Sequence, residues 1–123
     1  MKAAIIILSD PKAGDDALGR MFNGLAAAYD FKQRDTEVGI YFQGAGTRWP
    51  GVLADKTHPI HALYKGVEDR VVGISCGCAD VFGAREEAEQ SGFDLVTDNR
   101  VPGTSGLPSI AGIARDGYTV FTF

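Results

Sequence analysis

The sequence predicts a single α/β domain with five strands in a mostly parallel sheet. Short apolar runs, typical of buried strands, alternate along the chain with stretches in which apolar residues recur at helical spacing. Alternating strands and helices are typical of α/β domains with parallel sheets. The length of 123 residues suits one such domain, and no linker or internal repeat divides it. We therefore treat residues 1–123 as a single domain.

The first strand is expected at Ala3–Leu8, which is apolar at every position. A strand that is apolar on both faces suits a central place in the sheet, with helices covering both sides. A helix should follow from about Asp15 to Arg34. Its predicted inner face consists of Leu18, Met21, Phe22, Leu25 and Tyr29, which recur at helical spacing.

The second strand is expected at Glu37–Phe42, and the glycine-containing segment Gln43–Pro50 after it is interpreted as a flexible turn. Gly44 and Gly46 resemble a fragment of a phosphate-binding loop. The fuller glycine pattern and the lysine of a P-loop are missing, so no nucleotide cofactor is expected. Residues 51–65 should be helical but interrupted at Pro59.

The second half of the chain continues the same alternation. The predicted segments are a strand at Val71–Ser75, a helix at Ala79–Ser91, a strand within Phe93–Thr97, a helix from Pro108 to Gly117 and a strand at Tyr118–Phe123. A polar loop, residues 98–105, separates the fourth strand from the last helix.

Charge and hydropathy narrow the classes of function. The net charge is −4 and there is no basic run, so nucleic-acid binding is not expected. No apolar run approaches the roughly 20 residues of a membrane span, and Ala3–Leu8 is too short for the core of a signal peptide. We therefore expect a cytoplasmic protein without a membrane partner. In the cytoplasm, the two cysteines should be free thiols and not a structural disulfide.

His58 and His61 are three residues apart, a spacing that allows two side chains to share a helix face. A metal site would need a third ligand and a supporting shell, neither of which the sequence supplies. We interpret both histidines as packing or surface residues and expect no metal.

Cys76, Gly77 and Cys78 form the strongest candidate site, since they follow the third strand at the edge where open α/β sheets bind ligands. Free N–H groups and the dipole at the start of a helix favour a thiolate there. Gly77 would allow close approach of another group, whereas Asp80 would oppose a thiolate if it pointed inward. We expect Cys76 to stand in a rim pocket and to be the more reactive thiol, with Cys78 turned inward. The alternative is that one or both cysteines are small buried apolar residues.

Arg48 and Trp49 follow the second strand and are expected to border the same rim. Arg48 would then stabilise the Cys76 thiolate. Arginine and tryptophan are also frequent in protein interfaces, so contact between subunits is an equal interpretation of this pair.

Taken together, these segments resemble the DsrE/DsrF-like family of small sulfur-relay proteins. The resemblance rests on the opening strand and its small-residue helix, the second strand with its glycine loop, the third strand ending Gly73-Ile74-Ser75-Cys76, and the final strand Tyr118–Phe123. It implies a three-layer α/β/α domain with a five-stranded sheet that assembles as a trimer or hexamer. It also implies that Cys76 carries persulfide sulfur from a donor protein to an acceptor protein, with Cys78 matching the second cysteine of some relatives.

Two classes of function follow. The first is a sulfur carrier in which Cys76 holds a transferable sulfur and Cys78 resolves or tunes it. The second is a non-catalytic, oligomeric module that binds a small ligand or supports assembly and uses the cysteines for packing. A metal or redox sensor that uses both cysteines and a histidine is a third possibility.

Overall fold

Five strands form one sheet in the order β4-β3-β2-β1-β5, and every neighbouring pair is parallel. The computed structural model describes residues 1–123. The strands are β1 (Lys2–Ile7), β2 (Glu37–Phe42), β3 (Val71–Ser75), β4 (Leu95–Val96) and β5 (Tyr118–Thr122). The prediction of an α/β domain with five strands in a mostly parallel sheet is confirmed.

Six α-helices connect the strands. They are α1 (Asp15–Gln33), α2 (Trp49–Leu53), α3 (His61–Val67), α4 (Cys76–Val81), α5 (Arg85–Gln90) and α6 (Ile110–Arg115). Two short 3₁₀ segments, Gly44–Arg48 and Glu68–Arg70, precede α2 and β3. None of the helices combines the length and the apolar character needed to cross a lipid bilayer.

The direction of the chain across the sheet explains the three α/β/α layers. From β1 to β4 each crossover moves one place in the same direction, and the last one returns across the sheet to β5. Because parallel crossovers are right-handed, α1–α5 lie on one face and α6 lies on the other. The main core is a cluster in which alternate residues of β1 and β2, such as Ile5 and Phe42, pack against α1–α5.

β1 is an interior strand, with β2 on one side and β5 on the other. Residues Ala3–Ile7 are all buried, as a strand with two apolar faces requires. The expected interior position is thus confirmed, although the middle place in the sheet belongs to β2.

The segment after β2 is ordered helical structure and not the predicted flexible turn. Gly46 explains why it packs so closely: a Cβ atom at this position would lie 2.2 Å from the carbonyl oxygen of Ile7. The glycine therefore allows the 3₁₀ segment to rest directly on the end of β1.

The predicted helix Ala79–Ser91 is two helices, and the first begins earlier, at Cys76. Gly83 interrupts the run with a φ of +67°, a conformation that glycine adopts without strain. The helical region around Pro59 is also divided, as expected, but α3 begins at His61 and continues through Gly66 to Val67.

The close contact at Gly46 yields a first prediction. Gly46→Ala should lower the free energy of unfolding by about 1–3 kcal/mol, because the added methyl group meets backbone that cannot move aside. The control is Gly19→Ala in α1, where an added Cβ has no neighbour within 4 Å. That change should raise the stability by up to about 1 kcal/mol, since alanine is the better helix former. Urea unfolding measures both, and equal effects would contradict the packing described here.

Candidate functional site: the Cys76 cluster

The junction of β3 and α4 positions Cys76. Ser75 is the last residue of β3 and is fully buried. Its hydroxyl accepts a hydrogen bond from the Cys78 amide at 3.3 Å and so caps the start of α4. Cys76 is the first residue of the helix. The chain thus leaves the carboxyl edge of the sheet at Cys76, as expected from the sequence.

Two polar side chains contact the Cys76 sulfur. Arg85 donates a hydrogen bond from Nη1 to Sγ at 3.2 Å, and the Ser105 hydroxyl lies 3.1 Å from Sγ. The residue is only 4% exposed. A buried thiol packed as an apolar residue would have apolar neighbours, whereas this sulfur lies beside a cation and a hydroxyl group, both of which stabilise negative charge.

Arg85 is fixed in place by two carboxylates. Its Nη1 also donates to Asp80 Oδ1 at 3.0 Å, and its Nε donates to Glu89 Oε1 at 2.8 Å. The hydrogen bonds to Glu89 and Asp80, together with the charge of a Cys76 thiolate, raise the pKa of Arg85 above its usual value. The guanidinium is therefore a permanent cation held beside the sulfur.

Asp80 joins the same cluster from the next turn of α4. The Ser105 hydroxyl lies 2.6 Å from Asp80 Oδ2. Hydrogen bonds from Ser105 and then from Arg85 lower the pKa of Asp80 below its usual value. Asp80 does oppose a thiolate by its charge, as the sequence suggests, but Arg85 lies between the two groups and offsets this repulsion.

The Ser105 hydroxyl has one hydrogen and two negative or polarisable partners, Cys76 and Asp80. When Cys76 is a thiol, its S–H can donate to Ser105 Oγ while Ser105 donates to Asp80. When Cys76 is a thiolate, the two acceptors compete for the single hydroxyl hydrogen. Arg85 has enough N–H groups to serve both at once, so it is the constant partner of the sulfur.

Ser105 belongs to a loop that covers the start of α4. We call residues 97–109 the cover loop. Its base is closed by paired backbone hydrogen bonds between Asn99 and Leu107. Gly106 accepts a hydrogen bond from the Gly77 amide at 2.7 Å. A Cβ at Gly77 would lie 2.8 Å from Leu107 Cδ1, so the close approach expected at Gly77 is made by this loop.

The burial of the two cysteines is the reverse of the expectation. Cys76 is covered and Cys78 is partly exposed. The sequence offered no sign that a distant loop would close over Cys76. Both cysteines are free thiols. Being two positions apart in a helix, they lie about 200° apart around its axis and do not face each other.

Arg48 does not pair with either cysteine. It donates hydrogen bonds to Asp10 and to the carbonyl oxygen of Phe82, each at 3.1 Å. Phe82 follows α4, so Arg48 binds a carbonyl oxygen at the carboxyl end of this helix, where the helix dipole favours a cation. The cation predicted to stabilise the sulfur is instead Arg85.

Trp49 is a core residue and not part of an exposed rim or subunit contact. It is 2% exposed, and its indole N–H donates to the carbonyl oxygen of Ser9 at 2.8 Å. A buried tryptophan needs this partner for its N–H. The interpretation of Trp49 as an interface residue is therefore wrong.

The predicted rim pocket, which would have brought Arg48 and the cysteines together, is not found. A cleft of about 420 Å³ beside Arg48 is lined by Lys12, Phe82 and Glu87 among others, but by neither cysteine.

The histidines have structural partners: His58 Nδ1 accepts the Ile60 amide hydrogen, and His61 Nδ1 contacts the Leu53 carbonyl oxygen. No group of three or more His, Cys, Asp or Glu side chains is arranged to hold a metal ion.

Arg85 and Ser105 are the two site residues that the sequence did not indicate. Arg85 and Glu89 have the spacing of an exposed helical ion pair, which predicts an outward-facing arginine and does not indicate a contact with Cys76. Ser105 lies 29 positions after Cys76 in a polar loop. The one local signal was the glycine at position 77. It indicates that another segment packs closely there, but not which segment.

Comparison with known proteins finds similarity to a protein of unknown role. The chain is 29% identical over 87 residues to an uncharacterized protein, MJ0733, of Methanocaldococcus jannaschii, an alignment that covers 71% of each chain. No family model matches the sequence. No solved structure matches it either.

The lowered pKa of Asp80 yields a second prediction. A carboxylate with a depressed pKa in the folded state stabilises the fold above its unfolded pKa of about 3.9, and this contribution is lost as the pH falls through the folded value. Asp80→Asn should therefore reduce the free energy of unfolding at pH 7 and pH 5, and the difference from the unmodified protein should shrink toward pH 3. Urea unfolding at the three pH values measures it.

A matched control for this experiment is Asp16→Asn. It removes an exposed ion pair with Arg20 in α1 and should change the stability by less than about 0.5 kcal/mol. A difference for Asp80→Asn that stays constant from pH 7 to pH 3 would contradict the assignment of Asp80 as an ionised partner of Ser105 and Arg85.

Proposed function

We propose that the protein is an intracellular sulfur carrier in which Cys76 holds a persulfide sulfur and passes it on. The observation that supports this best is the contact of the Cys76 sulfur with both Arg85 and Ser105. A cation fixed by two carboxylates stabilises the thiolate, which is the nucleophilic form of cysteine. The resemblance to the DsrE/DsrF-like family, which uses a cysteine at the end of the third strand, is consistent with this role.

The transfer needs no external oxidant or reductant. The Cys76 thiolate attacks the outer sulfur of a donor persulfide, a bond forms between the two sulfurs, and the donor leaves as a thiolate. Cys76 then carries the outer sulfur as its own persulfide. In the second step an acceptor thiolate attacks that outer sulfur and regenerates the Cys76 thiolate, beside which Arg85 remains a counter-charge in both steps.

Cys78 has a secondary role in this proposal. Its position in α4 does not face Cys76, so a direct disulfide between the two would require the first turn of the helix to unwind. We therefore assign the transferable sulfur to Cys76 alone. Cys78 is a partly exposed thiol near the same helix start.

The expected partners are donor and acceptor proteins in the cytoplasm, where free thiols persist. We also propose assembly into a trimer or hexamer, as the resemblance implies. The exposed edge of β5, which pairs on one side only, is a surface suited to such assembly. Light scattering at micromolar concentration checks the assembly, and a monomer would contradict it.

A second candidate function is a small-ligand-binding module. The cleft of about 420 Å³ beside Arg48 and Lys12 favours it, because it is separate from the cysteines. In that case Cys76→Ser would leave ligand-induced thermal stabilisation unchanged, and no sulfur would be found on the protein.

The carrier hypothesis yields a third prediction. After incubation with a persulfide donor, intact-protein mass spectrometry should find one added sulfur, which is lost on reduction. Cys76→Ser should abolish the adduct and Cys78→Ser should retain it. Arg85→Met should slow adduct formation roughly tenfold or more, because a hydrogen bond from a charged donor to the thiolate is lost.

Arg34→Met is the control for the arginine substitution. Arg34 makes an exposed ion pair with Asp30 at the end of α1, away from the cysteines, so its loss should leave the rate unchanged. An adduct that persists in Cys76→Ser, or the absence of any adduct on the unmodified protein, would refute the carrier role.

A further inference from the structure

We propose that the cover loop is a gate on Cys76, held shut by Ser105 and by Gly106, and that it must open before the sulfur can exchange with a partner. This inference rests on the proposed carrier function and adds its control step. The loop residues that form the gate are Thr104–Leu107, which lie directly against the first turn of α4.

The burial of Cys76 carries the first step. Sulfur transfer needs a second sulfur atom to reach Sγ in line with the bond that forms or breaks, so the rate depends on access to Sγ. A residue that is 4% exposed does not offer such a path. None of the principal surface clefts is lined by Cys76. In the closed arrangement the Cys76 sulfur is therefore out of reach of a sulfur atom on another protein.

The second step concerns what covers the sulfur. Ser105 is itself exposed to solvent, yet its hydroxyl lies 3.1 Å from Sγ. The cover at this point is thus one residue thick. Displacing the tip of the cover loop would expose Cys76 without disturbing β3 or α4, which hold the cysteine and its cap.

The third step concerns what keeps the loop shut. Polar contacts between the cover loop and α4 are few: the Ser105 hydroxyl near Asp80 at 2.6 Å and near Cys76, and the Gly77 amide bonded to Gly106 at 2.7 Å. Residues 102–105 are exposed, and the buried residues of the loop, Gly106 and Pro108, lie at its base. Segments with few buried apolar contacts open locally at much lower cost than the whole fold.

Gly77 supplies a specific reporter of the gate. Its amide is among the first N–H groups of α4, which have no partner within the helix. Its hydrogen bond goes to Gly106 of the cover loop. The neighbouring Cys78 amide is bonded to Ser75 instead. Hydrogen exchange at Gly77 therefore measures closure of the loop, and exchange at Cys78 measures the integrity of the helix start.

The experiment combines this exchange measurement with alkylation by iodoacetamide of Cys76 in the Cys78→Ser protein. We expect Cys76 to react more slowly than Cys78 does in the Cys76→Ser protein, because only the open fraction of Cys76 is available to the reagent, and the two rates should converge in denaturant. Ser105→Ala should accelerate both Gly77 exchange and Cys76 alkylation, each by roughly five- to tenfold. Ser105→Thr, which keeps the hydroxyl, should stay within about twofold of the unmodified protein.

Gly77→Ala is a second, independent variant. The added methyl group would meet Leu107 at 2.8 Å and the Gly106 carbonyl oxygen at 3.0 Å, so it should push the loop outward and accelerate alkylation of Cys76. Circular dichroism and protection of the Cys78 amide verify that the helix remains intact. Should this variant unfold, Ser105→Ala alone decides the matter.

The outcomes separate the gate from the carrier function. Cys76 alkylation that is as fast in the folded protein as in denaturant, or a Gly77 amide that exchanges no more slowly in the unmodified protein than in Ser105→Ala, would overturn the gate. A gate that behaves as expected with iodoacetamide, combined with no sulfur adduct from a persulfide donor, would refute the carrier function and leave the gate standing.

Discussion

Parallel pairing of all five strands is the constraint on which the rest of the structure depends. Each strand must begin at the same edge, so every connection crosses the sheet, and every strand releases its chain at the opposite edge. That edge therefore receives the turn after β1, the 3₁₀ segment after β2, Cys76 after β3 and the cover loop after β4. Cys76 and Ser105 are far apart in the sequence but meet at this edge, because the parallel neighbours β3 and β4 both end there.

Within that edge, Arg85 organises the charges. A thiolate and a carboxylate on adjacent turns of one short helix repel each other, and α4 alone would have no means to hold both. The guanidinium spans them, with Cys76 at 3.2 Å and Asp80 at 3.0 Å from the same nitrogen. Gly83 contributes to this geometry, since the break it makes between α4 and α5 turns Arg85 back toward the start of α4.

The sequence was sufficient to predict the bounds of the buried strands and of the long helix, because their apolar patterns extend over many residues. The inner face of α1 was predicted only in part: Met21 and Leu25 are buried, but Phe22 and Tyr29, which were expected to face the core, are exposed. β2 and β3 have the expected bounds, and α1 differs by one residue at its end. It was not sufficient for the region from Gln43 to Trp49, where a contact between Gly46 and the backbone of β1 decides the structure. An apolar pattern indicates that a segment forms a helix or a strand. A close contact between distant segments is indicated in the sequence only by the glycine that permits it.

The site shows the same division. The position of Cys76 at the end of β3 follows from local pattern, and so does the closeness of some neighbour to Gly77. The identity of the cation does not, because the sequence indicates Arg48, which follows the second strand, whereas only the fold brings Arg85 to the sulfur. The burial of Cys76 was predicted in the wrong sense for the same reason, since it depends on a loop that returns from β4.

The closed cover loop also bears on oxidative damage. Cysteine thiolates are oxidised by peroxide first to sulfenic acid and then irreversibly to sulfinic and sulfonic acids, at rates that follow thiolate character and exposure. Because Cys76 is covered while Cys78 is partly exposed, peroxide meets Cys78 more readily than Cys76. The cover loop therefore shields the Cys76 sulfur from an oxidant that can reach Cys78.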